Sequence, residues 1–311
     1  RAILVEGGSI IAARLFWPGR LTAGQVDDAV LVSRTAGSRR GTVRFGSGEE
    51  ALIDSLPREA SEGAAIRVIV TRAAIAETGR FKLARVRPSK NDPCGAPSLA
   101  EHLAAGNASV SIVRGFPLNG WSDVFHEAWE GHIDFPGGSL TISPTPAMTV
   151  IDIDGLLPPA ALARAAVEPV GQAIRRFDIA GSIGIDFPTL DSKEDRRAVD
   201  AALDTAIANW PHERTAMNGF GFVQLVARLE RPSILHLIAN NRAKAAARLL
   251  LRQAERIAEP GALLLTAHPG VLGAIKPEWL TELARRSGRE VRYNPDPALA
   301  LQSGFAQAVP R

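Results

Sequence analysis

The chain has 311 residues, 46% of them apolar, with a formal net charge of +3. Such a length and composition can bury a sizeable core and exclude a disordered or low-complexity polypeptide. No run of 18 consecutive apolar residues occurs and no secretory-type leader is legible near Arg1, so neither a membrane span nor an export signal is expected. The single cysteine, Cys94, excludes an intramolecular disulfide and a cysteine-based zinc site, and a cytoplasmic setting is expected.

The small net charge conceals an uneven distribution. Residues 1–90 carry 15 Lys plus Arg against 9 Asp plus Glu, whereas residues 91–190 carry 4 against 11. A basic arm beside an acidic middle suits a phosphodiester substrate, with cations holding the backbone and carboxylates recruiting metal. The competing explanation is an arginine-rich surface inherited from coding bias.

In chain order, residues 2–17 read as two short strands turned at Gly7-Gly8-Ser9. Short apolar runs at 25–34, 40–45, 51–53, 65–71 and 80–87, punctuated by glycine and proline, predict a small antiparallel barrel of OB type. Arg39, Arg40, Arg44, Arg80, Lys82, Arg85 and Arg87 are candidates to line a groove that tracks a nucleic-acid backbone. The Pro- and Gly-rich stretch 89–98 is a linker. A brief helix at 99–105, a strand at 108–114, a helix at 121–130 and a hairpin within 131–146 follow.

Beyond the hairpin lies Ala-Met-Thr-Val-Ile-Asp-Ile-Asp-Gly, residues 147–155, echoed by Gly-Ser-Ile-Gly-Ile-Asp-Phe, residues 181–187. Period-two alternation puts Val150, Asp152 and Asp154 on one face of the first strand, with the two carboxylates roughly 6.6 Å apart. In the second, Asp186 points away from Ile183, Ile185 and Phe187. If these strands are neighbours, Asp152, Asp154 and Asp186 converge where a hard divalent cation would sit. A lone Asp near a strand end is more often a turn or cap residue, so the pattern by itself leaves both explanations open.

A helix at 159–176, kinked or restarted by Pro169, and a helix at 192–209 with Asp191 as N-cap are predicted next. The tail reads as a small α/β unit: helix 240–258, strand 262–267, helix 277–286, and strands 290–293 and 305–309. Gly181-to-Gly184 and Gly219-to-Gly221 are too short for a dinucleotide fingerprint, and neither a Gly-x-Ser-x-Gly elbow nor a Walker-type phosphate loop occurs. The six histidines show no metal-ligand spacing; His212, beside Arg214, is the one worth testing.

Taken together, the Pro-Gly-Gly-Ser hairpin at 136–139, the acidic runs at 147–154 and 179–187, Arg-Arg-Ala-Val-Asp-Ala-Ala-Leu at 196–203, Gly-Phe-Gly at 219–221, Arg-Pro-Ser-Ile-Leu at 231–235 and Ala-His-Pro-Gly-Val-Leu at 267–272 resemble the catalytic region of the ribonuclease E/G family. Single motifs are weak; their order and spacing carry the resemblance, which covers most of the chain. It implies an α/β chain of several units: N-terminal strands at 1–22 and a linker at 89–127 as remnants of an RNase H-like unit, an OB-type RNA-binding barrel at 23–88, a DNase I-like catalytic sheet and helix layer at 128–233, and a small C-terminal domain at 234–311.

The resemblance further implies a magnesium-dependent endoribonuclease, with manganese as a possible substitute, that cleaves single-stranded RNA to 5′-phosphate and 3′-hydroxyl ends. Asp152, Asp186 and Arg214 would be catalytic; Asp152, Asp154 and Asp186 would hold the metal. Asp154 stands where the family usually has Asn. Arg39, Arg40, Arg44, Phe45, Lys82 and Arg85 would bind RNA, with Thr42 and Leu52 at positions where the family uses aromatic residues. Zinc is not expected, because the paired cysteines are absent; a monomer or dimer is expected in place of a zinc-linked tetramer. Little of the 5′-end sensor remains. The alternative is a non-catalytic RNA-binding protein derived from the same family.

Overall fold

A computed structural model describes residues 1–77, 79–105 and 109–310. The chain divides into two compact units, Arg1–His236 and Leu237–Arg311. Among the described residues no helix is long and apolar enough to cross a membrane.

The first unit opens with an antiparallel hairpin, β1 (Ala2–Glu6) and β2 (Ser9–Arg14). Five further strands close a barrel: β3 (Val26–Arg34), β4 (Gly41–Phe45), β5 (Glu50–Ile53), β6 (Ala65–Arg72) and, after a small hairpin of β7 (Ile75–Glu77) and β8 (Arg80–Lys82), β9 (Ala84–Pro88). The order is β3-β4-β5-β9-β6, parallel at β5/β9 and antiparallel elsewhere. Alternation sends Leu31, Val43, Phe45, Ile53, Val68 and Val86 inward, and closure leaves no open sheet edge. The run expected at 80–87 is therefore two strands, with Leu83 between them.

Two helices follow, α1 (Leu99–Ala104), started by a Ser98/Glu101 capping box, and α2 (Trp121–Glu130). The strand expected at 108–114 is not formed: Ala108 lies outside the described residues, and 109–114 pair with nothing. Val110, Ile112 and Val113 are exposed there, and a β segment without a neighbour has no ladder to hold it.

The acidic strands lie in a six-stranded sheet. Its members are β10 (His132–Phe135), β11 (Gly138–Pro144), β12 (Thr149–Gly155), β13 (Gly181–Asp186), β14 (Glu213–Arg214) and β15 (Phe222–Ala227), ordered β10-β11-β12-β13-β15-β14. One face, with Leu140, Ile142, Ile151, Ile153, Ile183, Ile185, Val223 and Leu225, is buried. It lies on the side of α3 (Pro159–Arg176), which links β12 to β13, and α4 (Lys193–Ala206), which packs on α3. The helix α3 runs through Pro169 without a restart, since buried Val167 and Val170 keep both halves on one packed face. The cap of α4 is Ser192, not Asp191: its Oγ accepts from the Glu194 and Asp195 amides at 3.2 and 3.3 Å.

A short helix, α5 (Ile234–Ala239), carries the chain into the second unit. There α6 (Arg242–Ala254), β16 (Ala262–Ala267), α7 (Pro269–Leu272), α8 (Pro277–Ser287), β17 (Val291–Pro295) and β18 (Phe305–Val309) build a three-stranded sheet, β17-β16-β18, with helices beside it.

A buried ion-pair cluster ties the barrel region to the acidic sheet. The buried Glu77 carboxylate pairs with Arg80 Nε and Lys82 Nζ, each at 2.5 Å. The same two cations donate to the Pro146 carbonyl, Arg80 Nη2 at 2.5 Å and Lys82 Nζ at 3.1 Å, in the turn that leads into β12. Burial pushes the Glu77 pKa up, but the hydrogen bonds from Lys82 and Arg80 outweigh it and hold the group below its ordinary value. A depressed carboxylate pKa contributes stability above the unfolded-state pKa and loses it as pH falls through the folded one. Glu77→Gln is accordingly expected to destabilise the chain by about 1–3 kcal/mol near neutral pH. In thermal unfolding curves the gap to wild type should narrow as the pH drops below the carboxylate range.

Candidate metal centre and nucleic-acid surface

Strands β12 and β13 are parallel neighbours, and their register sets Asp152 opposite Asp186, with Val150 opposite Gly184 one step back. Paired residues on adjacent strands project to the same side, so both carboxylates stand on the face away from the helices, about 5 Å apart at the backbone. Asp154 lies two residues further along β12 on that face, opposite Ser139 of β11 and past the end of β13. All three are exposed, while Ile151, Ile153 and Ile185 between them are buried. The alternation read in the sequence is the alternation found.

Asp152 feels this crowding. Its pKa is raised, first by partial burial and then by the negative charges of Asp154 and Asp186. Among the described residues, no salt bridge from Arg, Lys or His reaches any of the three carboxylates. Nor do any three His, Cys, Asp or Glu side chains there form a group that could hold a metal ion, so the expected three-carboxylate convergence of Asp152, Asp154 and Asp186 is not found; Asp154 lies past the end of β13. Asp152 and Asp186 are the two carboxylates that could hold a hard cation between them, with Asp154 to one side. Magnesium is commonly held in that way, by one or two carboxylates plus substrate oxygens.

Arg214 does not join them. It is opposite Leu225, a buried residue, so its side chain emerges on the helix face. There Nε donates to Asp204 Oδ1 at 2.6 Å, Nη1 to Asp200 Oδ1 at 2.7 Å and Nη2 to the Asp200 carbonyl at 3.0 Å, both aspartates belonging to α4. The hydrogen bond to Asp204, then those to Asp200, raise its pKa despite burial. A guanidinium so fully engaged on the far side of the sheet is a structural tie, and the catalytic role expected of it is withdrawn. His212 is likewise occupied, with Nδ1 2.6 Å from the Trp210 carbonyl and its ring stacked on Trp210.

The barrel surface is also redistributed. Phe45, expected to face RNA, is inside the barrel core at 4% exposure, because β4 alternates Val43 and Phe45 inward. Arg39 donates to the Leu56 and Ser55 carbonyls, Arg40 pairs with Asp54, and Arg44 with Glu50. Lys82 belongs to the β7/β8 hairpin and is held by Glu77. Arg85 is exposed beside outward-facing Leu52 and makes no salt bridge among the described residues; Arg87, two residues on, shares its face of β9.

Asp134 and His132, not among the expected site residues, lie on the neighbouring strand β10. Through Ser139, Asp134 lies in the same cross-strand row as Asp154, and its Oδ1 is 3.2 Å from His132 Nε2. The signal was present, since His132 and Asp134 alternate with Ile133 and Phe135 in the same period as the Asp152 strand.

With this geometry established, comparison of the chain with protein-family models finds no match, and comparison with curated proteins finds none either.

Two outcomes follow from the crowding. Replacing either neighbour, by Asp154→Asn or Asp186→Asn, should lower the Asp152 pKa toward its ordinary value, read by carbon NMR titration of the carboxyl. A raised carboxyl pKa also means that stability declines as pH rises through the interval between the unfolded and folded values. Asp152→Asn should therefore raise the melting temperature near neutral pH and leave it unchanged in acid.

Proposed function

We propose that the protein is a divalent-metal-dependent endoribonuclease acting on single-stranded RNA, with Asp152 and Asp186 as the metal-holding pair and Asp154 beside them. The reading is carried by one observation: carboxylates from two separated stretches stand in register on neighbouring strands, with no salt-bridging cation among the described residues to neutralise them. A purely structural surface has no reason to gather like charges in a row, since they repel. The order of motifs shared with the ribonuclease E/G family supports the same reading, as does the five-strand barrel, whose order and single parallel pairing suit an OB-type nucleic-acid module. The sheet with helices on one face suits a DNase I-like catalytic layer.

In this reading Asp152 and Asp186 would hold the ion, with Asp154 beside them. When bound, magnesium supplies Lewis acidity: it lowers the pKa of a coordinated water and offsets charge on the phosphoryl oxygens. The raised Asp152 pKa makes cation and proton competitors for the same carboxylate, so metal affinity should fall as the solution is acidified. Arg85 and Arg87 hold the RNA backbone at the barrel, which gives salt dependence and little sequence information.

The deciding measurement is incubation of end-labelled single-stranded RNA with protein in magnesium and in chelator. Fragments bearing 5′-phosphates should form only with metal and be lost, by about 100-fold or more in rate, in Asp152→Asn and Asp186→Asn. Binding without cleavage under both conditions would overturn the enzyme in favour of an RNA-binding protein. Arg85→Ala should weaken binding across all sequences alike and lower the slope of affinity against salt by about one ion.

A further inference from the structure

The turn that joins β14 to β15 presents a phenylalanine to solvent. Phe220 is 80% exposed, yet the backbone beneath it is tied down on every side. The Asn218 side-chain oxygen accepts from the Phe220 and Phe222 amides at 2.9 and 3.0 Å, and the Thr189 hydroxyl donates to the Phe220 carbonyl at 3.3 Å. The Phe187 amide, next to Asp186, donates to the Gly221 carbonyl at 3.3 Å. Gly221 has a φ of +91°, and any β-carbon there would collide with the Phe187 carbonyl. Further back, Met217 N donates to Asp200, the carboxylate that Arg214 grips, which fastens the turn to α4. An exposed apolar ring on a rigid support has lost the backbone freedom that would let it fold away.

A second ring follows two residues on in the chain. Phe222 is paired in register with Asp186 and so projects on the carboxylate face. Its ring runs back across Gly184, where an added β-carbon would come within 2.5 Å of the Phe222 Cζ and 3.0 Å of the Met148 sulfur. Phe222 is thus laid on the sheet beside Asp186, and Phe220 stands two residues before it in the turn whose Gly221 carbonyl is held by Phe187, the residue after Asp186.

Resting on the reading of this face as an RNA-cleaving site, we propose that Phe220 and Phe222 form a stacking platform for a nucleobase of single-stranded RNA running along the Asp152–Asp186 face. A single-stranded chain offers its bases unpaired, and stacking on aromatic rings is the sequence-tolerant interaction such chains use. A duplex keeps its bases stacked on each other and gains nothing from the platform. In the barrel Phe45 is interior and Thr42 and Leu52 are not aromatic, so the platform would supply the base stack that the barrel does not.

The test uses the full chain with Asp152→Asn, so that RNA stays intact, and a single-stranded RNA carrying one 2-aminopurine. Phe220→Ala should weaken RNA binding by about 10-fold and relieve the quenching of the 2-aminopurine, while Phe220→Trp should restore both. The melting temperature should not change, as an 80% exposed ring contributes little to the fold. Placing an abasic unit at the quenched position should erase the difference in affinity between Phe220→Ala and its parent, which a merely structural role would not do. Equal RNA affinity for Phe220→Ala and its parent, or no RNA binding by the parent, overturns the platform. Failure of the cleavage reading registers separately: RNA bound with quenching but never cut by the wild-type chain removes the nuclease and keeps the stack.

Discussion

Mutual repulsion among Asp152, Asp154 and Asp186 is sustained because the other face of the same strands is packed against helices. Two unit charges about 4 Å apart interact with roughly 1 kcal/mol in bulk water and several-fold more where solvent is partly excluded. Each buried isoleucine on the opposite face, Ile151, Ile153, Ile183 and Ile185, contributes on the order of 2 kcal/mol by leaving water. Packing therefore wins, and the strands cannot slide to separate the charges, because a one-residue slip would expose every one of those isoleucines. The carboxylates are held together by side chains that never touch them.

The same logic extends outward. Glu77 is buried with two cations, and those cations reach the Pro146 carbonyl at the entry to the acidic strand. Arg214, on the helix side, grips Asp200, whose carboxylate also receives the Met217 amide. Neither network faces the carboxylate row, and each anchors one of its borders. Arg39, Arg40, Arg44, Arg80 and Lys82, expected as RNA contacts, are engaged with carbonyls and carboxylates of the chain itself, which in the proposed reading leaves Arg85, Arg87, Phe220 and Phe222 for RNA.

Much of this was legible from residue order. The five-strand barrel, the acid-bearing strands with their inward and outward faces, the helices at 121–130 and 159–176 and the small α/β tail follow from periodicity and turn residues, which are local properties. The strand expected at 108–114 failed because β-structure needs a partner that composition does not reveal. Ser192 displaced Asp191 as a cap by one position, a margin that local chemistry cannot resolve.

By itself, the sequence determined which residues alternate, and hence that Asp152 and Asp154 share a face and that Asp186 leaves its apolar neighbours. Only tertiary structure decided that residue 152 meets residue 186, that Arg214 turns to the helices, that Phe45 goes inside the barrel, and that Lys82 is bound by Glu77. The reason is physical: side-chain periodicity is set by the backbone of one strand, whereas register, sheet order and the choice of ion-pair partner depend on contacts between segments far apart in the chain.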